Sequence, residues 1–180
     1  MLFADIRGST TLAEGMRPAE FHQVIDRFYQ ATTAVLIRSE ELIDKLVGDE
    51  VVAYFIPGLA GVEHAKKAIN AAKQILEVTG HNEPEGPWIP VGAGVHTGTA
   101  FFGTVSTKAA VTDITALGDA VNASARLSAA AAAGELLISE AAYQAARLNL
   151  KGLEERNLEL KGRAAPLKVV SIQYPIQTGD

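Results

Sequence analysis

Short apolar runs alternate along the chain with longer stretches in which apolar residues recur every three or four positions. The run LFADI predicts a short buried strand, and the turn after it lets Ser9 or Thr10 cap a helix that begins near Thr11. A long amphipathic helix is predicted from Pro18 onward, because core-type residues follow at helical spacing. These residues are Phe21, Val24, Ile25, Phe28, Thr32, Val35 and Leu36.

The stretch KLVGDE, residues 45–50, separates two apolar runs, ELIDKLV and VVAYF, and predicts a β-hairpin. Gly48 lies at the turn, where glycine supplies the positive φ that a tight loop needs. Lys45 and Asp49 flank this turn. Taken alone they would form an exposed cross-strand ion pair, worth less than about 1 kcal/mol.

The second half of the chain continues the alternation of helices and strands. A helix over residues 61–78 would bury one apolar face, formed by Val62, Ala65, Ile69, Ala72 and Ile75. The segment VGAGVHTGTAFFGTV predicts a second hairpin that turns at Thr97 and Gly98, with glycines that indicate close backbone approach or sharp twisting. VTDITAL then predicts a strand before Gly118, and the helix after it extends as far as Gly134. ELLIS predicts a strand, EAAYQAARL a helix, and LEERNLELKGRAAPLKVVSIQ a closing pair of strands.

This order of elements predicts one α+β domain over residues 1–180. Adjacent strands joined by tight turns favour a mixed, mostly antiparallel sheet covered by helices. A chain of 180 residues is long enough for one substantial core and short for two.

Charge and composition narrow the classes of function. The net charge of −5 and the lack of a basic cluster argue against a nucleic-acid partner. No window approaches the roughly 18 apolar residues of a membrane span, and the amino terminus does not resemble a signal peptide, so we expect a cytoplasmic protein without a membrane segment. The absence of cysteine excludes disulfides, thiolate metal sites and cysteine nucleophiles.

Two aspartates stand where an apolar element ends. Asp5 closes the first strand and Asp49 follows the hairpin glycine. Mg²⁺ prefers a few protein carboxylates, with substrate and water oxygens completing the octahedron, so this pair is a candidate metal site. The following IRGST run offers backbone amides at a helix start, where phosphate can bind. Because only four residues precede Asp5, we expect the first strand to be truncated.

A second polar pair, Asn122 and Arg126, lies on the helix after Gly118. Their spacing of four residues places both on one helical face. The pair could be a plain surface pair, or Arg126 could face phosphoryl charge, for which its planar guanidinium is suited.

Five segments, in order, resemble the catalytic segments of class III nucleotidyl (adenylate/guanylate) cyclase domains. They are FADIRGST, KLVGDEVVAYF, VGAGVHTGTAFFGTV, TALGDAVNASARL and LELKGR. The resemblance spans nearly the whole chain. It implies the class III cyclase fold, which derives from a ferredoxin-like sheet.

The resemblance implies a role for each matching residue around the phosphates. Asp5, Asp49 and the backbone carbonyl of Ile6 match the site of two divalent ions, Mg²⁺ or Mn²⁺. The loop from Ile6 to Thr10 matches the triphosphate loop, with Gly8, Ser9 and Thr10 as substrate-binding residues. Lys161 matches a lysine that contacts the outer phosphates, although Arg163 is close enough to take that place.

Two further matches concern the base and the reacting centre. Lys45 and Thr115 match the purine-reading positions, where Lys can donate to adenine N1 and the Thr hydroxyl can accept from the exocyclic amine. Asn122 and Arg126 match the pair that orients the ribose and stabilises charge on the α-phosphate.

The implied activity is that of an adenylate cyclase, which converts ATP to 3′,5′-cyclic AMP and pyrophosphate. A guanylate or relaxed-specificity cyclase is one alternative, and a catalytically silent nucleotide-binding or regulatory domain is another. The presence of Asp5, Asp49, Asn122 and Arg126 argues against the silent domain, which would not need all four.

The hairpin also predicts a homodimer with two composite sites. Lys45 and Asp49 serve opposite ends of a nucleotide, yet four residues reach at most roughly 14 Å when extended and far less across a hairpin. We therefore expect Asp5 and Asp49 of one subunit to face Lys45, Thr115, Asn122, Arg126 and Lys161 of the other. The partners are then ATP and a second copy, and any regulatory domain lies outside this chain.

Overall fold

The computed structural model describes residues 1–39, 42–106, 112–149, 152–160 and 165–175, with backbone only for 42–47, 105–106 and 112–114. The strands in these ranges are β1 (Leu2–Ile6), β2 (Leu42–Val47), β3 (Glu50–Tyr54), β4 (Val91–Val95), β5 (Phe101–Ser106), β6 (Thr112–Leu117), β7 (Glu135–Ser139), β8 (Glu154–Leu158) and β9 (Leu167–Gln173). The helices are α1 (Ser9–Glu14), α2 (Pro18–Arg38), α3 (Pro57–Ala60), α4 (His64–Val78), α5 (Asp119–Ala130) and α6 (Glu140–Ala146).

Seven strands form one sheet in the order β2-β3-β1-β4-β7-β9-β8. Neighbours in this sheet run antiparallel except β4 and β7, which are parallel. The predicted α+β class and the mostly antiparallel sheet are confirmed. So are the KLVGDE hairpin, which turns through Gly48 at φ 62°, and the closing pair β8–β9.

The predicted second hairpin is wrong. β4 pairs with β1 and β7, whereas β5 pairs with β6 in a separate two-stranded ribbon. Both edges of β4 are therefore occupied within the main sheet, and the residues around Thr97 and Gly98 form a crossover out of it.

Three helix boundaries differ from the prediction. Helix α1 begins at Ser9, and Gly8 takes the N-cap position without a side-chain cap, so neither Ser9 nor Thr10 caps a helix starting at Thr11. Val62 is 92% exposed because α4 begins only at His64, while the other predicted apolar residues of this helix are buried. Helix α5 ends at Ala130, before the predicted stop at Gly134.

Helices cover both faces of the sheet. On one face, alternate residues of β1 pack in the main core with residues of α2 and α4, including Phe28, Leu36, Ile69 and Ile75. On the other face, a smaller cluster joins Phe3 and Tyr54 to Val121 and Ala125 of α5. The side chain of Asp5 lies on this second face, since side chains alternate along a strand and Phe3 precedes it by two.

Two glycines of β4 allow α5 to approach the sheet. A Cβ on Gly94 would lie 2.4 Å from the Ser128 amide nitrogen and 2.8 Å from the Leu127 Cβ. A Cβ on Gly92 would lie 2.8 Å from the Ala131 carbonyl oxygen. The predicted close backbone approach is confirmed, and it determines how near α5 lies to β1.

Candidate active site

Asp5 and Asp49 lie together at one end of the sheet. Asp5 is the penultimate residue of β1, and Asp49 is in the β2–β3 turn, where its carbonyl oxygen accepts a 3.1 Å hydrogen bond from the Ile6 amide. β1 is paired along its length with β3 on one side and β4 on the other. The sheet thus brings the three predicted metal-site residues together on firmly held backbone.

The hairpin turn is also held from the helical layer. The Tyr29 hydroxyl on α2 donates a 2.7 Å hydrogen bond to the carbonyl oxygen of Gly48. Partial burial and the Asp49 carboxylate raise the pKa of Tyr29 above its ordinary value of 10.0. This contact limits how far Asp49 can move away from Asp5.

The carboxyl groups at this end of the sheet repel one another. Burial raises the pKa of Asp5, and the neighbouring Asp49 carboxylate raises it further, while Arg7 lowers it. Glu50 pairs in register with Asp5, and burial together with the charges of Asp5 and Asp49 raises its pKa to about 7. The site therefore favours the binding of positive charge.

Arg7 provides part of that positive charge. Its Nη2 lies 2.6 Å from the Oδ2 of Asp5, its Nε donates to the Asp5 carbonyl oxygen at 3.2 Å, and its Nη1 donates to the Ala129 carbonyl oxygen at 3.3 Å. The guanidinium thus connects the end of β1 to the last turn of α5.

The donor set fits a divalent cation. Asp5 Oδ1 is buried and lacks a hydrogen-bond partner in the described part of the chain, so it is available to a ligand. Within the described ranges no cluster of three or more Asp, Glu, His or Cys side chains is arranged to bind a metal ion. Two carboxylates and a carbonyl are suited to Mg²⁺ or Mn²⁺ when substrate phosphates and water complete the coordination.

The predicted phosphate loop follows directly. Gly8 and Thr10 are exposed and Ser9 is half-buried. The first intrahelical bond of α1 runs from the Leu12 amide to the Gly8 carbonyl oxygen. The amides of residues 9–11 therefore precede the hydrogen-bonded part of the helix and point away from it, as at any helix start.

The second polar pair lies on α5. Asn122 is exposed and Arg126 is half-buried, and the next positions round the helix, Val121 and Ala125, pack on the sheet. The charged groups that shift the pKa of Asp5 are Arg7 and Asp49, and those that shift the pKa of Glu50 are Asp5, Asp49 and Arg7. Arg126 is in neither set. Within a single chain, Arg126 is thus not among the charges that act on Asp5.

The base-reading and outer-phosphate positions are described in part. Thr115 is half-buried in β6, opposite Gly103 of β5. Lys45 pairs in register with Val52, but its side chain lies outside the described residues, as does the whole of Lys161.

Comparison with known proteins identifies the family. A sequence profile of the adenylate and guanylate cyclase catalytic domain matches residues 1–176. The chain belongs to this class III cyclase family. The domain is 32% identical over 133 residues to an adenylate cyclase of Anabaena cylindrica, in an alignment covering 71% of this chain and 26% of that protein. It therefore spans about a quarter of that relative's length.

The cyclase domain also resembles solved structures. Its fold matches the guanylyl cyclase Cya2 with a TM-score of 0.83 at 23% identity, over 94% of this chain and 88% of that chain. It matches the adenylyl cyclase CyaB from P. aeruginosa with a TM-score of 0.78 at 24% identity, over 99% and 95%. The predicted family and fold are confirmed. No helix in the described ranges is long and apolar enough to cross a membrane.

Three residues beside the aspartates in this cyclase domain were not predicted as site residues, although Arg7 falls within the predicted triphosphate loop. Arg7 and Glu50 are adjacent in sequence to the predicted metal-site residues, and a charged neighbour of a carboxylate site is a usable signal. Tyr29 offered no such signal, because it lies on α2, far from the hairpin in sequence.

Proposed function

We propose that this domain is an adenylate cyclase that converts ATP to 3′,5′-cyclic AMP and pyrophosphate in the cytoplasm. One observation carries the proposal. Asp5, Asp49 and the end of β1 lie beside the exposed start of α1, and the buried Asp5 Oδ1 has no hydrogen-bond partner among the residues that the structure describes. Support for activity comes from the family match and from relatives named adenylate cyclase at 32% and 30% identity.

The residues of the metal site would hold two divalent cations, Mg²⁺ or Mn²⁺, through the carboxylates of Asp5 and Asp49 and the carbonyl of Ile6. When bound, these cations supply activation of the ribose 3′-hydroxyl and neutralisation of charge on the triphosphate. Gly8, Ser9 and Thr10 bind the triphosphate through backbone amides and hydroxyls.

The remaining residues act on the base, the ribose and the α-phosphate. Lys45 donates to adenine N1 and Thr115 accepts from the exocyclic amine; guanine, with N1–H and O6, satisfies this pair less well. Asn122 orients the ribose and Arg126 stabilises the charge that develops on the α-phosphate. Removal of one such donor costs about 10²–10³ in rate. Lys161 contacts the outer phosphates.

The active unit is a homodimer in which each site takes residues from both chains. Two observations support this arrangement. Arg126 is not among the charged groups that act on Asp5. Adjacent positions of the β5–β6 ribbon expose large apolar side chains, with Phe101 59% and Leu117 52% accessible, and a second copy would cover them.

Product analysis tests the activity. Purified protein is incubated with ATP or GTP and with Mg²⁺ or Mn²⁺, and cyclic nucleotides are quantified. We expect cyclic AMP to exceed cyclic GMP. An excess of cyclic GMP would refute the adenylate assignment alone, whereas no product under any combination would refute both cyclase assignments and leave the silent domain.

Subunit mixing tests the composite site. Asp49→Ala and Arg126→Ala are each expected to be inactive, and a mixture that exchanges subunits should regain up to about a quarter of wild-type activity, because half of the dimers are mixed and each carries one intact site. If exchange is verified with differently tagged chains and the mixture remains inactive, the composite arrangement is wrong.

A further inference from the structure

We propose that Arg7 is a built-in counter-ion that competes with the divalent cation for Asp5 and so sets the cation concentration at which the site fills. This inference rests on the metal site of the proposed function. It adds a residue that controls occupancy of that site without itself binding the metal or the nucleotide.

The first argument is the contact itself. Arg7 Nη2 and Asp5 Oδ2 are 2.6 Å apart, and the two side chains are only 20% and 26% exposed. The Arg17–Glu20 pair on the surface of α2 is 81% and 46% exposed. Because water screens the buried pair less, the Arg7–Asp5 attraction is the stronger of the two.

The second argument is that the fold holds Arg7 in this place. The Arg7 amide donates a 2.7 Å hydrogen bond to the Pro90 carbonyl oxygen, which anchors the backbone. Gly92 pairs in register with Asp5, and a Cβ there would lie 3.1 Å from Arg7 Nε. Two carbonyl oxygens, of Asp5 and Ala129, orient the guanidinium. The guanidinium is thus held against Asp5 by contacts other than the ion pair.

The third argument is the balance of charge. The Asp49 carboxylate acts on Asp5, both aspartates act on Glu50, and the Arg7 guanidinium opposes these effects on Asp5 and Glu50. A divalent cation bound to Asp5 would neutralise these carboxylates in place of Arg7. It would also be repelled by the nearby positive charge of the Arg7 guanidinium. The free energy of that repulsion, or of moving the guanidinium away, is subtracted from the affinity for the metal.

Movement of the Arg7 guanidinium away from Asp5 would also affect α5, the helix that carries Asn122 and Arg126. Arg7 Nη1 is bonded to the Ala129 carbonyl oxygen, one turn beyond Arg126 on α5. A guanidinium that leaves Asp5 therefore also loses its hold on the last turn of the helix that carries Asn122 and Arg126.

The test is direct titration with Mn²⁺ in the absence of nucleotide at pH 8, where Mn²⁺ binding is read from the loss of the free-ion EPR signal. Arg7→Gln should bind Mn²⁺ about fivefold more tightly than wild type, and Arg7→Lys, which keeps the charge, should remain within about twofold of it. Arg17→Gln removes the more exposed ion pair with Glu20 at the start of α2 and should change nothing. Asp5→Asn should abolish binding.

Thermal melts give a second measurement. Arg7→Gln should melt at a lower temperature than wild type without metal, because carboxylate repulsion is no longer offset, and saturating Mn²⁺ should raise its Tm more than that of wild type. If Arg7→Gln does not fold, Arg7→Met and Arg7→Lys supply the comparison.

The outcomes separate the inference from the proposed function. Equal or weaker Mn²⁺ binding by Arg7→Gln, with binding by wild type and loss in Asp5→Asn, overturns the competition and leaves Arg7 as a support for Asp5. Absence of Mn²⁺ binding in wild type and every Arg7 variant, both alone and with 3′-deoxy-ATP, which supplies the phosphates but lacks the attacking hydroxyl, overturns the metal site itself, and the Arg7 inference with it.

Discussion

Replacement of Gly94 by alanine tests the contact that places α5 against the sheet. The added Cβ would lie 2.4 Å from the Ser128 amide nitrogen, 2.8 Å from the Leu127 Cβ and 2.9 Å from the Leu127 carbonyl carbon. Two of these atoms belong to backbone, so no side-chain rotation relieves the overlap. Either α5 or β4 has to shift.

The expected cost follows from this overlap. Overpacking of a well-packed core by one methyl group destabilises by about 1–3 kcal/mol. In a domain of this size each kcal/mol lowers Tm by about 2–4 °C, so Gly94→Ala should melt about 2–12 °C below wild type. A shift of α5 by about 1 Å would also misplace Arg126, and such a displacement can cost about 10²-fold in kcat.

The assay pairs thermal melts with steady-state rates and Mn²⁺ titration. Gly58→Ala is the matched control, because nothing lies within 4 Å of a Cβ there and the residue is within α3. We expect Gly94→Ala to lose stability and kcat. The Mn²⁺ titration shows whether the shift also reaches Asp5, because Gly94 pairs with Phe3 on the same strand. A Gly94→Ala protein with wild-type Tm and kcat would refute the close packing of β4 and α5.

Two further predictions concern the groups around the aspartates. The pKa of Glu50 is about 7 in the folded protein, above its ordinary value of 4.5. Its contribution to stability is therefore complete below pH 4.5 and is lost as pH rises through 7. In EDTA, the Tm of Glu50→Gln should rise relative to that of wild type as the pH is raised from 5 to 8. A Tm difference that stays constant over this range would contradict the raised pKa. Tyr29→Phe removes the hydrogen bond to the Gly48 carbonyl oxygen. It should lower the free energy of unfolding, measured in urea, by about 1 kcal/mol and weaken Mn²⁺ binding. Unchanged values for both would show that other contacts hold the turn.

Local pattern was a good guide wherever the controlling interactions were local. The KLVGDE turn, the long helix from Pro18 and the closing strand pair were all predicted, because turn residues, helical spacing and short connections act within a few positions. The second hairpin was predicted wrongly for the same reason. Alternation in VGAGV indicates a strand but does not indicate its neighbours, and both edges of β4 are taken by β1 and β7.

The candidate site was likewise predictable where it depends on residue type and order, and less so where it depends on tertiary contacts. The residue types of Asp5, Asp49, Asn122 and Arg126 and their order along the chain were enough to predict a family and a chemistry. Their surroundings were predictable only in part. Arg7 lies two residues from Asp5, but its hydrogen bond to the Ala129 carbonyl oxygen forms only when the end of α5 packs beside β1. Tyr29 reaches Gly48 only when α2 packs over the hairpin.

The amino-acid sequence by itself thus determined the succession of elements, the family and the set of groups that could do the chemistry. Tertiary structure alone decided which of these groups meet. It brings the two aspartates together through the pairing of β1 and β3, gives Asp5 a guanidinium counter-ion, and leaves Arg126 outside the set of charges that act on Asp5. The physical reason is that residue type sets what a group can bind, whereas pKa and charge balance depend on neighbours that are distant in the chain.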